Sequence, residues 1–563
     1  MKKRFLTMTA SILAFAMTLS ACGGGGKAVS QSESAGTAAQ QSSAPADGNA
    51  QNEIFWGTGH EPQAPNAEAV SAKDMLVFRI ASDPNSISDV ISTSLYTYQI
   101  NSLVAGTLMN QIGDGQGNVI VDFTDRSLGT SYEMDEDSLG ITFHLKEGIN
   151  FCDGTPFTAE DYIFSLLYHR SSSSYACVDF DNIKALDDYT VYVPFSYTSS
   201  SIVRDLGWGI RVFSKNAYEA AGGSAGEANF FTTGFVGTGA YMVDEWVSGD
   251  HITLKANPGY YGGTPKIDKI QFRIIAEASV AMMELETGGV DVVLDPSWTD
   301  VSNVINGQYG DKIAYWKSKG AMAVELGFNC SEDSKCSDIK IRQAICYAID
   351  KNVFAEGAYQ GIGDDMYTIF SGTFENMHDL SAQWPYSYDP EKAKELLKEA
   401  GYENGLELTI IHNGDPNRVL GCEIMNKYLG EVGITLNVQG FDTATYAAMM
   451  KNETKSWDMW LRNWGGSGTS PTRILAQTIP ENCHAENDAA YPAMKELADA
   501  LIREMDDEKR MEYSDELQER YLTEWLYMYP MVQMNSYTVM NSKLKGATLA
   551  EFSWDLTDAY FAE

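Results

Sequence analysis

The sequence predicts an α/β protein of two lobes with a cleft between them, on three observations. Between about residues 75 and 320 the chain is rich in short alternating runs, among them Thr190–Phe195, Ile252–Leu254 and Ile270–Ile275, the spacing of β-strands. From about residue 325 the texture changes to strands alternating with helices in the order β-α-β-α-β, which implies a parallel sheet with its binding sites beyond the strand C-termini. The final stretch returns to strand-like runs at Met531–Met540 and Phe552–Leu556, so the C-terminus is expected to cross back to the first lobe.

The N-terminus sets the compartment. Lys2, Lys3 and Arg4 precede an apolar run from Phe5 to Leu19, too short and wrongly flanked for a spanning helix, and this reads as a signal peptide over residues 1–21. Leu19-Ser20-Ala21-Cys22 resembles the lipobox of bacterial lipoproteins, which implies that Cys22 is lipidated and becomes the first residue of the mature chain. Of the 28 residues from 23 to 50, 21 are Gly, Ala, Ser or Gln, a composition that cannot bury enough apolar surface to order itself. Residues 22–72 are therefore expected to be a lipidated tether, with order beginning near Asp74 and a strand at Met75–Ile80.

The elements of the later region carry their own punctuation. Asp389-Pro390 opens a helix as N-cap and first-turn proline; Ala393, Leu396 and Leu397 form its apolar face and Gly401 stops it. Leu406–Ile411 is then a strand, Val419–Val432 a second helix ended by Gly433, and Ile434–Val438 another strand. No repeat of 20–50 residues is visible, which excludes solenoids and propellers.

Charge and motif content narrow the function classes. Asp and Glu number 77 against 40 Lys and Arg, a formal charge of −37, the opposite of what phosphate binding requires, so nucleic acid is set aside. The seven His lack H-E-x-x-H or paired spacing, and no Walker or dinucleotide glycine loop is present; no cofactor and no metal are expected. Eight Cys minus Cys22 leave an odd number with no C-x-x-C; a pair between Cys330 and Cys336 stays open beside the reading of reduced, buried thiols. Gly222-Gly223-Ser224-Ala225-Gly226 matches G-x-S-x-G, but helix-like text precedes Ser224 where a nucleophile elbow needs a strand. Asp114–Asn118 reads as a hairpin turn rather than a calcium loop, since the terminal Glu is missing.

Three longer blocks are more specific. Phe143–Tyr162 contains a strand, Asp153-Gly154-Thr155-Pro156-Phe157, and Thr158 capping a helix with Asp161 at its third position. Val236-Gly237-Thr238-Gly239-Ala240-Tyr241 runs on through Asn257-Pro258-Gly259-Tyr260-Tyr261 to Asp268. Gly327-Phe328-Asn329 is followed by Asp338–Ile345 and Ala348-Ile349-Asp350-Lys351. Together, and in this order, they resemble the bacterial extracellular solute-binding proteins, family 5, which feed peptide and nickel ABC transporters. The resemblance runs from about Val77 to Lys545 and implies a type II periplasmic-binding fold, two lobes with a hinged cleft plus an extra subdomain. It implies a first lobe from 73–120 and 231–324, the extra subdomain at 121–230, the second lobe at 325–530 and a return to the first lobe at 531–563. The hinge is expected near Phe328-Asn329 and again near Gln533–Asn535.

The ligand is the harder question. In peptide-binding members a W-x-x-D-x-x-x-P stretch lines the cleft, and its Asp pairs with the peptide α-ammonium; the matching stretch here is Trp464–Pro471, with Gly466 inside it and Ser467 in place of that Asp. A neutral hydroxyl cannot supply the charge-assisted bond, which contributes roughly 1.5–3 kcal/mol. An N-blocked peptide, a peptide held by its backbone, or an oligosaccharide stacked on Trp464 all fit. Trp457 and Trp460 are expected in the lobe core. His412, near a position that is basic in some peptide binders, Asn85 in the segment after the first strand, and Tyr446 and Phe441 after the strand ending at Val438 complete the set of ligand-binding candidates. Nickel or haem is disfavoured, with His and Arg at the cleft leaving it open.

The expectation is a lipid-anchored monomer on the outer face of the bacterial cytoplasmic membrane, delivering oligopeptides to ABC permease subunits with their ATPases, and not an enzyme. The alternatives are an oligosaccharide-binding protein of the same fold, a receptor that reports ligand without transport, and, in a different class, an extracytoplasmic hydrolase using Ser224.

Overall fold

The structure, a computed structural model, describes residues 68–563 except 93, 114–118, 371–377, 379, 452–455, 466–482, 486–487 and 550–553. The signal peptide, Cys22, most of the tether, Gly466 and Ser467 lie outside the described residues, as does the Asp114–Asn118 turn, although the strands flanking it, Asn110–Gly113 and Val119–Asp122, pair antiparallel.

Three large apolar cores organise the described residues, beside two small clusters around Ala281 and Val301. The first begins with strand β1 (Met75–Ile80), takes in Phe213 through Trp316, and is completed by Met540 to Phe561, so the C-terminus does return to it. The second core, from Leu108 to Val212, belongs to a subdomain inserted within that span. Its four-stranded sheet has the order β2-β3-β5-β4, with β2 (Gly129–Met134), β3 (Gly140–Leu145), β4 (Lys184–Asp187) and β5 (Thr190–Pro194). Helix α1 (Ala159–Tyr168) starts as its sequence dictates: the Asp161 carboxylate accepts from the Thr158 N–H and hydroxyl, both at 3.1 Å. The third core runs from Val324 to Met534 and includes Trp457 and Trp460.

One 11-stranded sheet links the first and third cores. On the first-lobe side lie β6 (Tyr241–Val247), β7 (His251–Ala256), β8 (Lys269–Ile274) and β9 (Val292–Leu294). Two long strands follow, β10 (Ile313–Phe328) and, after the second-lobe strands β11 (Leu406–His412), β12 (Ile434–Gly440) and β13 (Met459–Gly465), β14 (Met528–Asn541). The order is β12-β11-β13-β10-β14-β9-β1-β8-β7-β6, and the eleventh strand, Asp364–Asp365, pairs with β14 off this path. Among the described residues β10 and β14 are the strands that enter both cores, with Ala314, Trp316 and Met540 in the first and Val324 to Phe328 and Met528 to Met534 in the third.

The crossing between lobes is marked by a break in register. β10 and β14 pair in step from Ile313 to Lys319, then resume at Ala323 opposite Gln533. The Gln533 amide fills the break, donating to the carbonyls of Gly320 and Met322 at 2.7 and 2.9 Å. Gly320 is required here, because a Cβ would sit 2.6 Å from the Met534 carbonyl oxygen. Phe328-Asn329 lies well inside the second lobe instead: Phe328 pairs with Met459, and Asn329 donates to the Trp457 carbonyl at 2.8 Å.

Candidate functional site

The strand directions place the candidate site. β14 runs from the second lobe into the first, and β9 lies antiparallel to it with Leu294 opposite Thr538, so the C-terminal end of β9 points back to the crossing. β1 is parallel to both β9 and β8, so these three strands end together. In the second lobe β13 is antiparallel to β10, with Gly465 opposite Met322 and Met459 opposite Phe328. β11 is parallel to β13 and to β12. The carboxyl ends of both parallel sets therefore face the crossing, which is where open α/β sheets take their ligands.

The first-lobe edge is rigid. Arg79, buried at the end of β1, donates to the carbonyls of Ile275, Ala276 and Leu294 at 2.7, 2.9 and 2.7 Å, tying the ends of β8 and β9 to its own strand. Asp295 follows with φ +48 and accepts from the Tyr96 hydroxyl at 2.7 Å. Asn85 is exposed on the loop after β1 with φ +64; its Nδ2 donates to the Asp83 carbonyl and its N–H to the Asp83 carboxylate. The other Asp83 oxygen accepts from Gly249 of the β6–β7 turn, which pins the loop to the sheet.

The second-lobe edge brings His412, Phe441 and Tyr446 near one another. Phe441 N–H donates to the His412 carbonyl at 2.9 Å, and the His412 ring rests against Gly440, where a Cβ would lie 2.9 Å from Cε1. His412 is buried, and burial first, then the neighbouring Arg418, holds its pKa below the ordinary imidazole value. Its Nδ1 accepts from Gly414 N–H at 3.0 Å, so the proton sits on Nε2 and His412 is a neutral donor rather than a cation. Tyr446 is committed to the core, its hydroxyl donating to the Leu461 carbonyl at 3.3 Å. Trp464 occupies β13 opposite Ala323, on the strand edge nearest the crossing.

Sequence reasoning missed Arg418. Helix α2 (Pro416–Glu431) begins three residues before the expected start, because Asp415 caps it by accepting from Asn417 and Arg418 N–H and Pro416 takes the first turn. Arg418 is thus in the first turn and packs back over the strand ends, 9% exposed. Among the described residues its guanidinium makes one hydrogen bond, Nε to Asn463 Oδ1 at 3.4 Å, an oxygen that also accepts from Tyr359 at 3.3 Å. The signal that finds it is the Asp-Pro pair at 415–416. The corner thus holds the Arg418 cation and the neutral His412 N–H donor, with the Asp415 carboxylate engaged in capping the helix; the two donors are suited to an anionic group.

A second buried charge lies deeper. Glu325 on β10 faces Arg462 on β13 across 3.6 Å, its carboxylate oxygen without a hydrogen bond, and burial pushes its pKa up to about 7 against the pull of Arg462. Between its ordinary value of 4.5 and this folded value the native state binds the extra proton. This group's contribution to stability is therefore full below about pH 4 and lost as pH rises through 7, about 3 kcal/mol in all. Urea unfolding of the native protein and Glu325→Gln at pH 5 and pH 8 is expected to show a smaller loss of stability across this range in the variant; parallel pH profiles would contradict it.

Other sequence candidates resolve simply. Ser224 sits on a short turn between helices Lys215–Ala220 and Glu227–Phe230, with no strand entering it, so the geometry of a nucleophile elbow is not there. Cys330 and Cys336 are both free and buried, and the pairing left open between them is not formed. Among the described residues no three His, Cys, Asp or Glu converge to hold a metal ion, and no helix is long and apolar enough to cross a membrane.

Two lobes joined by a broken strand pair, with parallel strand ends facing each other across it, define a binding protein that encloses its ligand between lobes. The family model for bacterial extracellular solute-binding proteins, family 5 (middle region), matches residues 126–480, and the chain belongs to this family. Haem-binding protein A of Haemophilus influenzae is 26% identical over 435 residues, covering 71% of this chain and 78% of that protein. The dipeptide-binding protein of Escherichia coli is 26% identical over 437 residues, covering 73% and 79%. The ABC transporter substrate-binding protein CtaP of Listeria monocytogenes superposes with a TM-score of 0.76 at 20% identity, covering 87% of this chain and all of that one, which establishes the type II periplasmic-binding fold.

Proposed function

We propose that this chain is the substrate-binding subunit of an ABC importer and that its ligand is an oligopeptide received by its carboxyl-terminal end. The carrying observation is Arg418, a nearly buried guanidinium with one hydrogen bond, set over the strand ends beside the Nε2–H of His412. An oligosaccharide offers such a corner no charge, and a carboxylate offers two oxygens. Ser467 in place of the ammonium-pairing Asp turns recognition away from the amino terminus. On this reading Trp464, Gly466 and Asn85 contribute to the ligand cleft, while Phe441 walls the corner and Tyr446 supports it from the core. Residues 73–120, 231–324 and 531–563 act as one lobe, 325–530 as the other and 121–230 as the extra subdomain, turning about Gly320 and Gln533. Cys22 anchors the protein through its lipid to the outer face of the membrane, where it works as a monomer with the permease and without enzymatic turnover.

Native mass spectrometry of the purified protein, before and after gentle denaturation, tests the ligand class. Release of a set of peptide masses is the expected result. Hexose-spaced masses would replace this reading with the oligosaccharide one.

A further inference from the structure

The extra subdomain touches the second lobe far along the chain from the crossing strands. In the loop before the helix Ile202–Gly209, the Ser200 N–H donates to the Ile502 carbonyl and the Thr198 hydroxyl to the Arg503 carbonyl, both at 2.8 Å. The Arg503 guanidinium stands 5.1 Å from the centre of the Tyr197 ring. The acceptors end the helix Tyr491–Arg503.

The acceptors are carbonyls that a helix cannot satisfy within itself, since the last four C=O groups of any helix lack an internal partner. The donors precede the first turn of a helix, so the positive end of one dipole meets the negative end of another. At Ser200 the contact is shielded, its Oγ without a partner among the described residues and Ile502 buried, while the Thr198–Arg503 bond is exposed. The subdomain core and the second-lobe core share no member, and among the described residues no strand of one pairs with a strand of the other. Among the described residues, two hydrogen bonds and one cation–π contact join them here, groups that water can replace when the surfaces part.

We propose that the Tyr197–Ser200 loop and the carboxyl end of the Tyr491–Arg503 helix form a closure latch, made when the second lobe swings onto the first and broken when it swings away. Because the latch touches no strand end of the ligand edge, it sets the open–closed ratio of the ligand-free protein independently of the ligand. Any ligand that binds the closed form then gains or loses apparent affinity by the same factor. The inference rests on the two-lobed fold and not on the peptide reading above, so failure of one leaves the other standing.

The test uses the full chain stripped of ligand, with none added, comparing native protein with Thr198→Val, Arg503→Ala and the double variant by amide hydrogen exchange and small-angle X-ray scattering. In the native protein the Ser200 amide is expected to exchange at least about tenfold more slowly than an unstructured amide. The double variant is expected to lose that protection and to show a larger radius of gyration, with each single variant between. Exchange in β3 and β5 stays unchanged, which separates opening from unfolding of the subdomain. A native Ser200 amide that exchanges at the unstructured rate, or a double variant with unchanged radius of gyration, would overturn the proposal.

Discussion

Arg418→Gln is expected to weaken binding of the peptides released from the native protein by roughly 10- to 100-fold, the worth of a charge-assisted bond to a carboxylate in a partly dehydrated site. The guanidinium is held in place by the first turn of its helix and by Asn463, so little rotamer freedom remains to be lost when ligand arrives. Gln keeps a donor and much of the stem but no charge. Thermal unfolding without ligand is expected to change little, because the wild-type side chain makes a single hydrogen bond among the described residues. Titration calorimetry with the released peptides checks it, and equal affinities would remove Arg418 from the site.

Gly327→Ala is expected to cost about 3 kcal/mol or more, at or above the upper end of what overpacking a core usually costs. Gly327 lies directly opposite Trp460 in the β10–β13 ladder, and the indole covers it so closely that a Cβ would overlap the ring. Trp460 is fully buried with the Arg462 guanidinium 4.4 Å from its ring centre, so it has no free space to enter. Against a total stability of about 5–15 kcal/mol, such a loss is expected to unfold the second lobe at temperatures where the native protein persists. Combining Gly327→Ala with Trp460→Ala relieves the overlap, and urea unfolding of both singles and the double is expected to show costs well below additive. Additive costs would mean that the ring does not lie over the glycine.

What the sequence made legible follows from how local each signal is. The helix Pro390–Glu399 appears where Asp389, Pro390 and Gly401 place it, since cap, first-turn proline and stop all act within one turn of the chain. Trp457 and Trp460 fall in the core, as their spacing among apolar residues suggests. β14 is longer than the Met531–Met540 run because nearly every residue from Met528 to Met540 is buried, and a strand covered on both faces shows no alternation to mark its ends. The crossing depends on pairing between residues more than 200 positions apart, which no local pattern announces; the family resemblance points to its Gln533 half but sets the other half at Phe328-Asn329 rather than Gly320. Reading the helix from Val419 left Arg418 in a loop and out of the site. His412, by contrast, lies at the predicted edge, and only its hydrogen bond to Gly414 and its burial reveal that it is neutral.

On the proposed reading the second-lobe edge receives a carboxylate, and the amino terminus of the ligand is not held by charge. One synthetic peptide, chosen from the sequences released from the native protein, is titrated in three forms: unmodified, amidated at the carboxyl end and acetylated at the amino end. Amidation is expected to weaken binding by about tenfold or more and acetylation by less than about threefold. Equal binding of the free and amidated forms, or loss of binding on acetylation, would contradict the account.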